Sequence, residues 1–377
     1  MTTDNLLILG GTGNTGRLIA RLLLQETDCR LVLAGRNQDK AQAVAQAFNA
    51  EFGGDRVAAI AVDASDTNSL RRAMSGCRMA VIASSTSEFV AQVARAALEA
   101  QTDYLDVQYS SAKLAVLQNL EAEICAAGRC FITDGGFHPG LPGVLVRYAA
   151  AQFDRLLRAN VGSVIKIDWK KLDVGPATIE ELARELLGYQ PLEYRGGAWR
   201  PASAKAMWFP RHMAFGREFG RQPCAPMFLE EMRALPSMIP GLQETGFFVG
   251  GFNWFVDWLA MPLGMLATKI APQRSLRLTA RLMRWGLVTF SKPPYGTLLK
   301  LEASGVKDST PKTLEVTLYH PDGYRFTAIP VTACLLQYLD GSARKPGLWT
   351  QANLVDPTRL MRDMQRMGVE IDIKEKP

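Results

Sequence analysis

Cysteine and histidine are scarce in this chain of 377 residues, which contains six cysteines and three histidines. The cysteines are widely spaced, form no CxxC pair and have no histidine at the spacing of metal ligands: Cys29, Cys77, Cys125, Cys130, Cys224 and Cys334. A chain of this length also builds its core without disulfide bonds. We therefore expect reduced cysteines, a cytoplasmic protein and no metal site.

Dense runs of basic residues are also missing, although the formal net charge is +6. Lysine and arginine are spread along the chain, which argues against a tail that binds nucleic acid. A mildly basic protein suits an anionic cofactor or an anionic membrane surface, through its summed field. The N-terminal residues MTTDNLLILGG have no basic segment and no long apolar segment, so we expect no secretory signal.

The first 135 residues contain a regular alternation of short apolar runs and helical patterns. The apolar runs are Leu6–Leu9, Leu31–Ala34, Val57–Val62, Met79–Ala83, Tyr104–Val107 and Cys130–Thr133. Runs that are apolar throughout are typical of strands buried on both faces, as in a parallel sheet covered by helices. The predicted fold class is therefore α/β, with a Rossmann-type doubly wound parallel sheet over residues 1–135.

The alternation stops at the glycine- and proline-rich segment GGFHPGLPG, residues 135–143. Strand-like stretches follow at Ser163–Trp169, Leu298–Ala303 and Leu314–Tyr319. They predict a second, α+β domain over residues 136–330, built on a mixed or antiparallel sheet. We expect an apolar helical insert at about 205–290 in this domain, and a C-terminal segment, 331–377, that returns to the first domain.

The sequence GGTGNTG, residues 10–16, lies directly after a predicted strand and before a predicted helix. It comprises Gly10, Gly11, Thr12, Gly13, Asn14, Thr15 and Gly16. Glycines at this spacing permit a tight turn, a close approach of the backbone to a diphosphate and tight packing of helix on strand. The free N–H groups of the helix N-terminus then bind the diphosphate. In this context the loop predicts a dinucleotide cofactor.

The end of the second predicted strand indicates which dinucleotide is bound. An NAD site places an acidic residue there for the ribose 2′-OH, whereas this chain has Arg36 followed by Asn37. A guanidinium pairs with a 2′-phosphate, so NADP is predicted rather than NAD, the alternative being a solvated arginine. Asp63 lies where it can hydrogen-bond adenine or cap a turn. We expect the small residues Ala83, Ser84 and Ser85 near the ribose or nicotinamide.

With these residues in place, the N-terminal third resembles the NADP-binding domain of the saccharopine dehydrogenase family. The matching stretches are GGTGNTG, LAGRNQDKA (33–41), VDASDTNSL (62–70), VARAALEAQTDYLDV (93–107) and DGGFHPGLPG (134–143). The resemblance implies a Rossmann domain, a second mixed-sheet domain and a homodimer. Members of that family include amino-acid and polyamine dehydrogenases as well as lipid-directed enoyl reductases. His138 stands where the family's turn commonly has Asp, which argues against the amino-acid activity.

Candidate catalytic residues follow the fifth and sixth predicted strands. His138 lies in the turn expected to face the cleft, where a histidine titrating near neutrality transfers the proton that accompanies hydride transfer. Asp106 and Tyr109, in DYLDVQYSS, lie at the same sheet edge, and a tyrosine can protonate a carbanion or enolate. The alternative for His138 is a loop histidine bonded by backbone. Hydride transfer itself needs no protein acid, since the cofactor carries that chemistry.

The segment FFVGGFNWFVDWLAMPLGMLAT, residues 247–268, contains one charged residue, Asp257. Three interpretations are open: an element for a membrane surface or apolar substrate, a buried core or dimer helix, and a membrane span. Aromatic and basic residues in and after it suit a peripheral membrane site or a solvated helix face: Trp254, Trp258, Lys269, Arg274, Arg277, Arg281, Arg284 and Trp285.

Three hypotheses on function result. The first is an NADP-dependent oxidoreductase that transfers hydride to or from a hydrophobic, lipid-like small molecule. The second is an amino-acid or polyamine C–N dehydrogenase, which requires cations at the cleft. The third is a non-catalytic, membrane-associated scaffold that senses NADP.

Overall fold

The computed structural model describes residues 4–108, 110–171, 176–188, 190–203, 210–268 and 270–376. Its strands are β1 (Asn5–Leu9), β2 (Arg30–Gly35), β3 (Val57–Ala61), β4 (Met79–Ile82), β5 (Asp103–Asp106), β6 (Cys130–Thr133), β7 (Arg155–Lys166), β8 (Leu192–Arg195), β9 (Ala198–Pro201), β10 (Arg211–Ala214), β11 (Arg221–Pro226), β12 (Glu244–Gly250), β13 (Gly296–Lys307), β14 (Thr310–His320), β15 (Gly347–Thr350) and β16 (Glu370–Lys376).

The α-helices are α1 (Asn14–Glu26), α2 (Gln38–Phe52), α3 (Thr67–Met74), α4 (Val90–Glu99), α5 (Ser111–Asn119), α6 (Glu121–Ala126), α7 (Pro142–Ala150), α8 (Pro176–Gly188), α9 (Gly216–Phe219), α10 (Leu235–Met238), α11 (Met261–Thr268), α12 (Pro272–Phe290), α13 (Gly323–Leu339), α14 (Gln351–Leu354) and α15 (Pro357–Arg366). A π-helix, Val256–Ala260, precedes α11.

The chain forms two compact units. The first contains residues 1–144 and 324–367, and the second contains residues 145–323 and 368–377. The C-terminal segment expected as one piece over 331–377 is thus divided between them, because β16 pairs with β14 of the second unit.

The first unit is built on a seven-stranded sheet of order β15-β6-β5-β4-β1-β2-β3. Every pair in it is parallel, and β1 and β4 lie side by side at its centre. The side chains of Leu6, Leu7 and Ile8 in β1 are fully buried, as expected for a strand covered on both faces. The predicted doubly wound parallel sheet is confirmed, and β15 adds a strand that the sequence patterns did not predict.

A polar network ties the C-terminal part of this unit to its sheet. Asp103, at the start of β5, is fully buried and accepts hydrogen bonds from Tyr338 Oη at 2.7 Å and Arg344 Nε at 2.8 Å. Its other oxygen accepts from the backbone N–H of Cys130 at 3.0 Å. A buried carboxylate needs such partners, so Asp103 fixes α13 and the following turn at the amino edge of the sheet.

The second unit contains a mixed nine-stranded sheet, in which β10-β11-β12-β7-β13-β14-β16 form one path and β8 and β9 extend from β12. Only β12 and β7 pair in parallel among these neighbours. Residues of β14 alternate between buried and more exposed positions, which confirms the predicted strand with one wetter face. The mixed sheet is therefore as predicted. The insert at 205–290 was expected to be helical, but β10, β11 and β12 lie within it.

The helices α8, α11 and α12 and the π-helix form a separate layer with a small core of its own. That core contains Ile179, Ala183, Val256, Ala260, Ala280, Met283 and Leu287, all buried. The apolar segment 247–268 is divided among β12, the π-helix and α11. Within the described ranges, none of the helices combines the length and apolar character that a bilayer crossing requires.

Candidate functional site

The loop between β1 and α1 leaves no room for side chains at its glycines. Gly10 has a φ of +87°, and a Cβ there would lie 2.7 Å from the carbonyl oxygen of Ala83. A Cβ on Gly11 would lie 2.9 Å from Cδ2 of Leu33, and one on Gly16 would collide with the carbonyl oxygen of Gly10. At Gly10, Gly11 and Gly16 the loop therefore packs directly against β2, the end of β4 and its own backbone.

The N-terminus of α1 is open to an anion. Gly13 occupies the N-cap position without a side-chain capping bond, and the first turn has no acidic residue. The N–H groups of Asn14, Thr15 and Gly16 lie in that turn, where an α-helix supplies no carbonyl acceptor. Together with the positive end of the helix dipole, these groups fit a diphosphate. The residues present thus suit a dinucleotide.

Arg36 and Asn37 lie directly after β2, at the same edge of the sheet as the glycine loop, and both are exposed. In the part of the chain that the structure describes, Arg36 forms no ion pair. Asn37 caps α2, since its Oδ1 accepts a hydrogen bond from the N–H of Lys40 at 2.8 Å. The amide of Asn37 is thus partly committed to the fold, whereas the Arg36 guanidinium faces solvent.

Asp63 follows β3 and is exposed. Its Oδ1 accepts hydrogen bonds from Ser65 N at 2.9 Å and Ser65 Oγ at 2.8 Å. These bonds, aided by the charge of Arg36, hold the pKa of Asp63 below its usual range. The turn alternative is therefore realised, and none of the described hydrogen bonds involves the second carboxylate oxygen.

The segment after β4 is held by a side chain that sequence reasoning missed. Gln108 donates from Nε2 to the carbonyl oxygen of Ser84 and, at 3.1 Å, to Thr86 Oγ1. Thr86 also bonds to Ser84 Oγ at 3.0 Å. The segment Ala83–Ser85 is therefore held in place beside Gly10. Gln108 follows β5, and only the parallel pairing of β4 with β5 brings it to this place.

A buried ion triad lies where β5 and β6 end. Lys113 Nζ donates to Asp106 Oδ1 at 2.7 Å and to Asp134 Oδ1 at 2.8 Å. Burial alone would lower the pKa of Lys113, but the two carboxylates outweigh it and raise the pKa. Asp106 is fully buried, and its other oxygen accepts from Thr133 Oγ1 at 2.9 Å. Asp106, a candidate for catalysis or substrate orientation, thus has both of its oxygens engaged inside the domain.

The glycine- and proline-rich turn that follows Asp134 is fixed from two sides. Gln351, fully buried in α14, donates to the carbonyl oxygen of Gly136 at 3.0 Å and accepts from its N–H at 3.2 Å. Phe137 stacks on Phe326 with ring centroids 5.0 Å apart. A Cβ on Gly140 would collide with the carbonyl oxygen of Gly136, so the turn folds back on itself. The conformation of the turn is therefore fixed by its contacts with Gln351 and Phe326.

His138 lies in this turn, five residues after β6. Desolvation lowers the pKa of its imidazole from 6.5 to about 4. The expectation of a histidine that titrates near neutrality is wrong for this reason, and the ring is neutral at pH 7. Tyr109, the other predicted proton donor, lies outside the described residues.

The second unit contains an apolar cavity of about 540 Å³. Strands β11 and β12, the π-helix and α11 supply most of its lining, with residues that include Ala225, Met227, Val249, Phe252, Trp258 and Met261. Among the described residues of that lining, Asp257 is the one ionisable side chain. Burial raises its pKa to about 6, although its carboxylate accepts a hydrogen bond from Phe252 N at 3.0 Å. The cavity thus suits an apolar group.

A parallel sheet of this order, with a glycine loop after its first strand, is typical of a dinucleotide-binding domain. Residues 6–129 match the family described as "Saccharopine dehydrogenase NADP binding domain". This third of the chain is therefore similar to an NADP-binding domain of that family, as the resemblance implied.

One solved structure shares this fold, and a second is reported beside it. Apo saccharopine dehydrogenase (L-Glu forming) from Saccharomyces cerevisiae superposes with a TM-score of 0.71 at 15% identity, covering 99% of this chain and 100% of that one. A myo-inositol dehydrogenase from Corynebacterium glutamicum gives a TM-score of 0.47 at 12% identity over 100% and 99% of the two chains. No curated protein matches in a comparison of sequences. The similarity to the yeast enzyme therefore extends over both units.

Proposed function

We propose that this chain is an NADP-dependent oxidoreductase that transfers hydride to or from a hydrophobic small molecule. The observation that carries the cofactor preference is Arg36, an exposed guanidinium at the end of β2, where an NAD site has a carboxylate. A 2′-phosphate accepts charge-assisted hydrogen bonds from arginine, whereas an acidic residue would repel it.

The other residues at this sheet edge take complementary roles. The first-turn N–H groups of α1 bind the diphosphate. The carboxylate of Asp63 accepts a hydrogen bond from the adenine amine. The segment Ala83–Ser85 contacts the ribose on the nicotinamide side. When bound, the cofactor supplies or accepts the hydride. The triad of Lys113, Asp106 and Asp134 positions the turn that carries His138, and the neutral imidazole orients a substrate by hydrogen bonding.

The apolar cavity of the second unit favours a hydrophobic substrate over an amino acid or polyamine. Among the described lining residues there is no lysine or arginine that could pair with a substrate carboxylate. A cavity of about 540 Å³ accommodates a drug-sized or acyl-chain group, since ligand sites commonly have about 300–1,000 Å³. Of these described residues, Asp257 alone could pair with a cationic substrate.

The cofactor assignment is tested by the substitution Arg36→Asp, with Arg30→Asp as the matched control. Both arginines are exposed residues of the same strand region, but Arg30 lies at the opposite edge of the sheet. Loss of a charged hydrogen bond worth about 1.5–3 kcal/mol lowers the affinity for NADPH by about 10- to 100-fold. Titration of NADPH and NADH by fluorescence should show this loss for Arg36→Asp only. An unchanged preference removes Arg36 from the site.

The substrate class is tested by following NADPH oxidation with long-chain enoyl, keto and imine compounds, with lysine- and glutamate-derived imines for comparison. The substitution Ala225→Trp fills the cavity and should raise KM for long-chain compounds while NADPH affinity stays unchanged. Ala214→Trp, at an exposed position of β10, is the control. Turnover of the amino-acid imines alone would transfer the assignment to a C–N dehydrogenase.

A further inference from the structure

Exposed large apolar side chains are concentrated in one helical region of the second unit. The described residues contain ten such side chains, and eight of them lie between positions 254 and 285: Trp254, Trp258, Leu259, Leu263, Leu266, Ile270, Leu278 and Trp285. Seven of the eight are exposed by more than half, from 53% for Trp285 to 82% for Ile270. We call these eight residues the apolar face. A set of this size marks an interaction surface, because single exposed leucines are normal but clusters are not.

The apolar face follows helical spacing, so its members point the same way. Leu259, Leu263 and Leu266 are separated by four and three residues, which places them on one side of the π-helix and α11. On α12, Leu278 and Trp285 are seven residues apart and form a second row. The inner sides of these helices are accounted for, since Ala260, Ala280 and Met283 are buried in the helical core.

The two helical rows are neighbours and are held firmly. A Cβ on Gly264 would lie 2.6 Å from Thr279 Cγ2, so α11 and α12 touch closely at that point. At the other end, Trp285 lies 4.9 Å from Phe255 and Trp254 lies 5.0 Å from Phe290, measured between ring centroids. The indoles of Trp254 and Trp285 are therefore fixed by ring contacts, although they are 56% and 53% exposed, respectively.

Within residues 251–292, which carry the apolar face, the charged residues are almost all positive. Residues 251–292 include one acidic residue, Asp257, and six basic ones: Lys269, Arg274, Arg277, Arg281, Arg284 and Lys292. Arg277, Arg281 and Arg284 recur at intervals of four and three on the exposed side of α12. No described carboxylate forms an ion pair with any of these three arginines. A row of arginines beside rows of leucine and tryptophan complements a surface with anionic headgroups above acyl chains.

We propose that the apolar face binds an anionic lipid bilayer, with the tryptophans and leucines at the level of the headgroup–acyl boundary and the arginines on lipid phosphates. Charge decides this occupant over a second copy of the chain. In a two-fold interface through the apolar face, each copy would add its own arginine row of α12, and residues 251–292 of each copy would supply only Asp257 as opposite charge. The association is peripheral and does not depend on which substrate the enzyme takes.

The test is co-sedimentation of the full chain with vesicles of phosphatidylcholine alone and of phosphatidylcholine mixed with phosphatidylglycerol. We expect binding to the anionic vesicles and weakening by added salt. Each arginine near an anionic surface contributes about 1 kcal/mol, so Arg277→Gln/Arg281→Gln should lower the partition coefficient about 25-fold. The matched control is Arg72→Gln/Arg362→Gln, two exposed arginines of the first unit. Leu263→Glu/Leu266→Glu should abolish binding.

A second readout keeps the test independent of folding defects. Brominated lipids in the anionic vesicles should quench the fluorescence of the native chain, and Trp258→Phe should reduce the quenched fraction. NADPH affinity of every variant serves as the folding control. The proposal is overturned if the native chain fails to sediment with anionic vesicles, or if the control arginines matter equally. It is also overturned if the chain is a dimer that ignores vesicles and that Leu263→Glu/Leu266→Glu dissociates.

Discussion

The buried triad gives the sharpest test of how the candidate site is held together. Lys113 and Asp106 have side chains with 0% exposure, and that of Asp134 has 8%. The substitution Lys113→Met keeps most of the side-chain volume but removes the ammonium. Two carboxylates that share one partner then remain inside the domain without compensating charge. Removing one partner of a buried ion pair typically costs about 3–5 kcal/mol.

This cost is large compared with the whole stability of a domain, which is about 5–15 kcal/mol. We expect Lys113→Met to unfold in urea at a much lower midpoint and to lose hydrogen-exchange protection in β5 and α5 first. The pKa of Lys113 is raised, so its stabilising effect is fully present below the ordinary range of lysine and is lost only as the pH rises above it. The contribution of Lys113 to the native chain is therefore constant around neutral pH, whereas the variant should lose further stability as rising pH ionises the uncompensated carboxyls of Asp106 and Asp134.

The control is the triple variant Lys113→Met/Asp106→Asn/Asp134→Asn, in which no buried charge is left. Neutral replacement of a buried ionic group is often close to neutral in free energy, so this variant should regain most of the loss. NADPH affinity of the triple variant then reports on the turn geometry alone. A single variant Lys113→Met that unfolds within about 1 kcal/mol of the native chain, the range of a surface pair, would refute the reasoning.

Three further predictions follow from the geometry. The pKa of His138 is depressed from 6.5 to about 4, so the native chain should lose up to about 3 kcal/mol as the pH falls between these values. Urea titrations should show that His138→Asn flattens this slope. The pKa of Asp257 is raised from 3.8 to about 6, so Asp257→Asn should be more stable than native by about 3 kcal/mol above pH 6 and equal to it below pH 3.8; equal stability throughout contradicts the burial argument. Gly10→Ala should lower NADPH affinity at least about tenfold, whereas Gly53→Ala, also at positive φ but in open space, should cost only about 1 kcal/mol of stability.

The parallel sheet was predictable because its strands are apolar on both faces and stand alone between helices. β15 escaped prediction because its residues, GLWT, become a strand only by pairing with β6. β10, β11 and β12 escaped because proline, tryptophan and methionine obscure the alternation in that region, and their pairing with β7 is long-range. Local patterns report local structure, so elements made by distant partners leave little trace in the sequence.

The residues of the candidate site also differ in whether a local pattern or a distant partner determines their role. The glycine loop and Arg36 are recognisable because each function rests on a residue type at a fixed distance from a strand. Lys113, Gln108 and Gln351 act through partners 7 to 215 residues away, as in the bond from Gln351 to Gly136. The pKa of His138 was misjudged for a related reason, since desolvation depends on the packing of the whole turn.

The apolar segment 247–268 contains both core residues and surface residues, so no single one of the interpretations drawn from its sequence describes all of it. A helix that is apolar all round is normally buried on all sides or faces lipid. In this region the inner side chains, such as Val256 and Ala260, fill the helical core. The outer ones, such as Leu263 and Leu266, are 57% and 61% exposed. The helical core therefore accounts for the inner apolar residues only, and the exposed ones belong to the apolar face for which we propose a lipid partner.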